Sequence, residues 1–363
     1  MSLLWFADAH LDLAIWASRP DLVYDSRWAF SHLVGEAIRR KVEAVLAAGD
    51  LINIKRPPSA VVTFIRKQMD RLAKAKIPLY FIQGQHERAD PPWFSTVHSW
   101  PKHLNGAAVS LDGRVIAGAD WTPAVRLMDV MSALPPADTL MCHQVWEEFM
   151  GGITSPEGSI SDLPEQFTTV VTGDYHKMVM KRMGARLVLS PGPTNMRKIN
   201  ESGACCYAVS TGPKFVWGKI PSRPVLRVDF RTAQEAPTAD AIIAQLQAQI
   251  AKSVVEAESL PAELRKPIVY VVSAPRDSEL VAAIENSRVA YDSFLFTSVK
   301  SKDAPSDGLA QTTSTLAVPR LTDILHEAVP KSSPLYNLAL SLLNSGSPAE
   351  TLESIKQERG LCG

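Results

Sequence analysis

The chain opens on an unbroken apolar run, Leu3-Leu4-Trp5-Phe6-Ala7, which gives way to Asp8 and His10. Short apolar runs of this kind fit strands buried on both faces of a parallel sheet. From Trp28 the apolar positions recur with helical period through Phe30, Leu33, Ile38, Val42 and Val45. The segment from Val45 to Ala48 turns into a second strand, with Gly49-Asp50 past its end. Residues 60–75 form an amphipathic helix, and the apolar strand from Ile77 to Ile82 runs into Gly84-Gln85-His86-Glu87. Strand, helix, strand, helix, strand in this order predicts βαβ units and a sheet with helices on its faces.

Beyond Ala107 the periods shorten. Strands over 107–111 and 115–119 flank an Asp112-Gly113 hairpin turn, Thr139-Leu-Met-Cys142 ends on His143, and the β-branched run 168–172 ends on Gly173-Asp174-Tyr175-His176. A strand over 186–189 leads to Ser190-Pro-Gly-Pro-Thr194, and 205–209 with 214–217 reads as a hairpin around Gly212. Pro221 to Pro224 breaks the pattern, after which strand (225–230), helix (239–256), strand (268–273), helix (278–285) and strand (291–299) make a small α/β module. Residues 301–319, rich in Ser, Thr, Pro, Gly and Asp, read as a linker, and 320–363 as a tail of short helical patterns.

Five strands thus deliver polar residues at their carboxyl ends: Asp8, His10, Asp50, Gln85, His86, His143, Asp174 and His176. Ligands of open α/β sheets gather there. Asp8 and His10, two apart on an extended chain, are expected to share a face. Carboxylates mixed with imidazoles suit divalent transition ions better than calcium, and eight such groups suffice for a hydrolytic centre with two ions. Each residue has a plainer explanation alone, such as a turn for Asp50 or a core histidine for His143. The recurrence in chain order outweighs those explanations.

Charge narrows the field. With 38 basic and 38 acidic residues the chain has no net charge, so any contact with DNA must rest on a local patch. Lys177, Lys181 and Arg182, with Arg186, are the candidate patch. Trp93, Phe94 and Trp100 are stacking candidates better explained as core. No apolar run approaches the ~20 residues of a membrane span, and no basic, cleavable leader is visible, so a cytoplasmic protein is expected. Cys142, Cys205, Cys206 and Cys362 have no metal or redox spacing and are expected to stay reduced.

The motif order D-x-H, G-D, G-Q-H-E, H and G-D-x-H resembles that of the calcineurin-like metallophosphoesterases, and most closely their DNA-repair nuclease branch, the SbcD subunit of bacterial SbcCD and its relatives. Ser190-Pro-Gly-Pro-Thr194, Glu201-Ser-Gly203 and Ile220-Pro-Ser-Arg-Pro224 extend the resemblance. It implies an α/β fold: a four-layer β-sandwich flanked by helices over 1–220, a small α/β capping, DNA-binding domain over 221–300, the linker over 301–319 and the helical tail over 320–363. It also implies two divalent ions, manganese first and magnesium second. Asp8, His10 and His176 would hold one, Gln85, His143 and Asp174 the other, and Asp50 would bridge them. His86 would protonate the leaving oxygen without binding metal, and Glu87 would orient His86. Gln85 and Asp174 stand where the family has Asn and His, which makes the second site harder in its ligands.

The activity implied is exonucleolytic and endonucleolytic cleavage of DNA, by a homodimer working with an SMC-like coiled-coil ATPase bound through the tail. A small-molecule or nucleotide phosphoesterase, and a non-catalytic scaffold on a decayed site, are the alternatives.

Overall fold

A computed structural model of the 363-residue chain describes residues 1–12, 19, 22–150, 156–197, 205–229, 238–273 and 277–299. The expected linker and tail, 301–363, and the Glu201-Ser-Gly203 motif lie outside the described residues. In chain order the strands are β1 (Leu3–Phe6), β2 (Ala44–Ala48), β3 (Leu79–Ile82), β4 (Lys102–His103), β5 (Ala108–Leu111), β6 (Arg114–Gly118), β7 (Thr139–His143), β8 (Thr169–Gly173), β9 (Val179–Met183), β10 (Arg186–Ser190), β11 (Cys206–Thr211), β12 (Lys214–Lys219), β13 (Val225–Asp229), β14 (Ile268–Ser273) and β15 (Phe294–Val299). The helices are α1 (Val23–Arg40), α2 (Ser59–Lys74), α3 (Trp93–Val97), α4 (Ala124–Ser132), α5 (Glu147–Met150), α6 (Ala239–Glu256), α7 (Ala262–Arg265), α8 (Ser278–Glu285) and α9 (Arg288–Asp292).

Two six-stranded sheets stack face to face, ordered β12-β11-β1-β2-β3-β4 and β5-β6-β7-β8-β10-β9. The apolar run of β1 shows why. Leu3, Trp5 and Ala7 point into the layer between the sheets, with Leu46, Ala48, Met141, Val171 and Leu189. Leu4 and Phe6 point the other way, into a core shared with Phe30 and Leu33 of α1 and Ile65 and Met69 of α2. The second sheet repeats this, covering its outer face with Leu127 and Met131 of α4. The inner strands of both sheets are therefore apolar on both faces, as continuous rather than alternating runs require. The layers are helix, sheet, sheet, helix: a mixed α/β fold with two sheets flanked by helices.

The strands β1 to β4 run parallel, as do β6, β7, β8 and β10, so each sheet has one carboxyl edge. His143 ties the two edges together, its Nδ1 donating to the Ala48 carbonyl at 2.7 Å.

The strands β13, β14 and β15 form a separate parallel sheet, covered by Ile242, Leu246 and Ile250 of α6, Ile284 of α8 and Val289 of α9. The expected bounds of α6, β14 and α8 are met. The last strand begins later than its apolar pattern suggested, because 288–292 close into α9 and expose Tyr291. Ile268 and Phe294 join the core of the first sheet, and residues 1–302 form one compact unit. Arg223 fastens the junction, its guanidinium forking onto the Asp25 carboxylate at 2.7 and 2.8 Å and donating to the carbonyls of Lys266 and Glu263. No described helix is long and apolar enough to cross a membrane.

Candidate metal centre

The loops leaving β1, β2, β3, β7 and β8 bring all eight strand-end residues together. Asp8 and His10 meet at one site, but not through the strand alternation that their spacing suggested. The extended backbone stops at Ala7, and both take positive φ, 53° and 41°. Asp50, Asp174 and His176 do the same at 51°, 71° and 54°. Left-handed backbone is costly for residues with a Cβ, and it concentrates where a site demands a side-chain direction that a regular strand cannot give. Backbone bonds hold the first two loops in step, Asp8 N donating to Gly49 O at 3.1 Å and His10 N to Asp50 O at 2.9 Å. Gly84 lets the third loop pass, since a Cβ there would stand 2.6 Å from the backbone nitrogen of Asp50.

Three groups of donor atoms result: Asp8, His10 and His176; His10, Asp50 and His86; and Asp8, Asp50 and His143. His176 Nε2 lies 3.6 Å from Asp8 Oδ1, and His10 Nε2 lies 3.6 Å from Asp50 Oδ2 and 3.2 Å from His176 Nε2. His143 Nε2 faces Asp50 Oδ2 at 3.4 Å and Asp8 and Asp174 Oδ1 at 3.9 Å. Asp50 Oδ2 thus has an imidazole nitrogen on each side, His10 Nε2 at 3.6 Å and His143 Nε2 at 3.4 Å. Gln85 donates Nε2 to Asp174 Oδ1 at 2.7 Å, which leaves its Oε1 for another partner.

Whether these residues fit divalent ions can be judged from their atoms. Asp8 Oδ2, His10 Nδ1, Asp50 Oδ2, Gln85 Oε1 and His143 Nε2 are buried with no hydrogen-bond partner. A buried polar atom left unpaired costs roughly 1–3 kcal/mol. Because His143 Nδ1 is the donor to Ala48, only its Nε2 is left for the site, facing carboxylate oxygens that hold a proton on it in the metal-free fold, where an ion would take the proton's place. Lone pairs turned toward one another in a dry interior ask for a cation among them. Nitrogen and oxygen donors at these separations fit first-row divalent ions.

The titration behaviour agrees. Burial, reinforced by Asp50 and Asp174, pushes Asp8 up to about 6 against the pull of His176 and His143. For Asp50 burial acts upward, but His143, His10 and His86 overcome it and hold the carboxylate low. Burial lowers His10, whereas at His143 the neighbouring Asp50, Asp174 and Asp8 outweigh burial and raise it.

Asp8, His10, Asp50 and His143 are fully buried, while the His86 side chain keeps 30% of its surface and His176 and Asp174 keep 13% and 14%. A substrate must therefore arrive past His86 and His176. The His86 ring is oriented by the Asn53 carbonyl, which accepts from Nδ1 at 3.2 Å, so that Nε2 looks toward Asp50 at 3.8 Å. The orienting role expected of Glu87 is thereby corrected. Its oxygens are taken by the backbone N–H groups of Ile52, at 2.5 Å, and Gly84, at 3.1 Å, so it fixes the loops around Asp50. Burial, with Asp50 beside it, pushes Glu87 up to about 8 against those two bonds.

Lys177, Lys181 and Arg182 are exposed, Lys177 lying over the Tyr175 ring at 5.5 Å and the other two on the edge strand β9. Arg186 leaves the patch, because its guanidinium is spent on the carbonyls of Phe167, Ile160, Leu163 and Pro164. Trp93, Phe94 and Trp100 pack on the helical core, as expected. His98 and His103 pair with Asp70 and Asp120, and His326 lies outside the described residues. Two residues had gone unnoticed. One is Asn53; the other is Arg197, whose Nη1 comes within 3.3 Å of His10 Nε2 and 3.4 Å of His176 Nε2. The buried Ser-Pro-Gly-Pro-Thr motif just before Arg197 was the available signal.

Residues 1–162 match the family model of the calcineurin-like phosphoesterases. The DNA double-strand break repair protein Mre11 of Sulfurisphaera tokodaii is 27% identical over 196 residues, 49% of this chain and 49% of that protein. Mre11 of Methanosarcina mazei is 24% identical over 223 residues, 57% of this chain and 36% of the relative. The uncharacterized metallophosphoesterase YhaO of Bacillus subtilis is 28% identical over 235 residues, 56% of this chain and 55% of the relative. The chain thus spans about half the length of these relatives, or less.

Proposed function

We propose that this chain, whose residues 1–162 match the calcineurin-like phosphoesterase model and which has Mre11 proteins among its relatives, is a metal-dependent DNA exonuclease and endonuclease. The observation that carries the reading is the convergence of unpaired buried atoms of Asp8, Asp50, Gln85 and His143 from four strand ends, with His10, Asp174 and His176 beside them. Asp8, His10 and His176 would hold one ion, Gln85, His143 and Asp174 the other, and Asp50 both. Manganese is the proposed metal, with magnesium next, because the carboxylate and amide of the second set favour harder ions than zinc. When bound, such ions lower the pKa of an attacking water and offset charge building on the phosphate.

The protein's own part is positional. His86, on the open side with Nε2 toward Asp50, is placed to hand a proton to the leaving oxygen. Glu87 and Asn53 keep the loops and the ring in register. Lys177, Lys181 and Arg182 offer exposed charge to a DNA backbone on the side of His176. In the cell, the proposal extends to a cytoplasmic homodimer in an SbcCD-like repair or recombination complex. The module over 221–300 would act as a DNA-binding cap, and the tail over 320–363 would hold the SMC-like ATPase.

Purified chain with manganese, given blunt duplex DNA, a nucleoside monophosphate and an aryl phosphodiester, tests the proposal. Degradation of duplex ends is expected. Turnover of the small phosphoesters alone would make this a small-molecule phosphoesterase, and no turnover with no metal bound would make it a scaffold.

A further inference from the structure

Arg197 follows a stretch that is locked in place. Ser190, Thr194 and Asn195 are buried and Met196 belongs to the helical core, so the half-buried Arg197 leaves a fixed point. Its Nη1 forms a near-equilateral triangle with His10 Nε2 and His176 Nε2, at 3.3 and 3.4 Å, the two imidazole atoms being 3.2 Å apart. A guanidinium stays charged at any physiological pH and has donors only, in a planar fork.

Both imidazoles are candidate ligands. Once their lone pairs are given to an ion, the Arg197 N–H groups facing them lose those acceptors and meet like charge. An anion lying over the ion satisfies both, and phosphate oxygens match the guanidinium fork. The geometry also suits access, because His176 is partly exposed and Lys177 beside it is open to solvent.

We infer that Arg197 binds the non-bridging oxygens of the substrate's phosphate, on the His10 and His176 side of the centre. The inference rests on the phosphoester reading of the site but not on DNA being the polymer.

The test is calorimetric titration of orthophosphate into manganese-loaded wild type, Arg197→Gln and Arg197→Lys, after the manganese affinity of each has been measured. Loss of a charge-assisted pair should weaken orthophosphate binding roughly tenfold or more in Arg197→Gln, with manganese affinity unchanged within about threefold. Arg197→Lys keeps the charge without the fork, so it should fall between the two. It carries the test by itself should the glutamine variant fail to fold. Undiminished orthophosphate affinity in either variant would overturn the inference. So would a parallel loss of manganese, which places Arg197 with the ions rather than the anion, or a wild type that binds no orthophosphate. If DNA is not cleaved while orthophosphate binding still depends on Arg197, the proposed substrate fails and this inference stands.

Discussion

Replacing Gly84 by alanine tests the position of Asp50 without touching any donor. The added Cβ would stand 2.6 Å from both Cγ and the backbone nitrogen of Asp50, and closer to Oδ1. Ordinary contact starts near 3.4 Å, so the Asp50 backbone would have to retreat by about 0.8 Å and its carboxylate by more. Neither can move freely, since Asp50 Oδ1 accepts from His86 N at 3.1 Å and Glu87 pins both loops. Overpacking of this kind costs about 1–3 kcal/mol of stability. Disturbing what orients a ligand lowers metal affinity ~10–100-fold, and misplacing a reacting geometry by ~1 Å lowers rate ~100-fold. Calorimetric manganese titration, thermal melts and phosphodiester turnover of the Gly84→Ala protein measure all three. Gly35→Ala is the control, for a Cβ there meets nothing nearer than Arg71 Nη2 at 3.6 Å, and a helical glycine replaced by alanine should gain roughly 0.5–1 kcal/mol. A folded Gly84→Ala protein that binds manganese and turns over like wild type would refute the placement of Asp50 between the two donor sets.

His86→Ala should keep its metal, measured by mass spectrometry, and lose ~10²–10⁴-fold in cleavage; loss of metal as well would make His86 a ligand, which its place beside His10 and Asp50 allows. Asp174→His should raise zinc affinity at the second site by restoring nitrogen ligation, and an unchanged zinc titration would remove Asp174 from the ligand set. Glu87 sits at about 8 in the fold against an ordinary 4.5, so above 4.5 the folded chain keeps a proton that the unfolded chain has released. His143, raised from 6.5, acts in the same sense, and His10 opposes only below 6.5. Stability of the metal-free protein should therefore fall from about pH 7 to 8 in urea melts, and less steeply in Glu87→Gln.

The ends of the buried strands were readable because each apolar run stops at its polar residue, and a strand buried on both faces leaves no periodicity to confuse the reading. What could not be read was backbone direction. Alternation placed Asp8 and His10 on one face, whereas positive φ at both turns them inward. Polar edge strands hide in the same way: β9 has no apolar run to announce it, because an exposed edge carries charge such as Lys181 and Arg182. Arg186 misled for the opposite reason, since its charge serves the carbonyls of a loop. The supports, Asn53 on the His86 ring and Glu87 on the backbone of Ile52 and Gly84, depend on loops meeting in space. No spacing in the sequence announces them.

The central claim is that these donors hold two ions with Asp50 between them. Anomalous diffraction from crystals grown with manganese addresses it directly. The account predicts two peaks about 3.5–4 Å apart, one against Asp8, His10 and His176, the other against Gln85, His143 and Asp174, with Asp50 touching both. A single peak, or peaks away from Asp50, would contradict it.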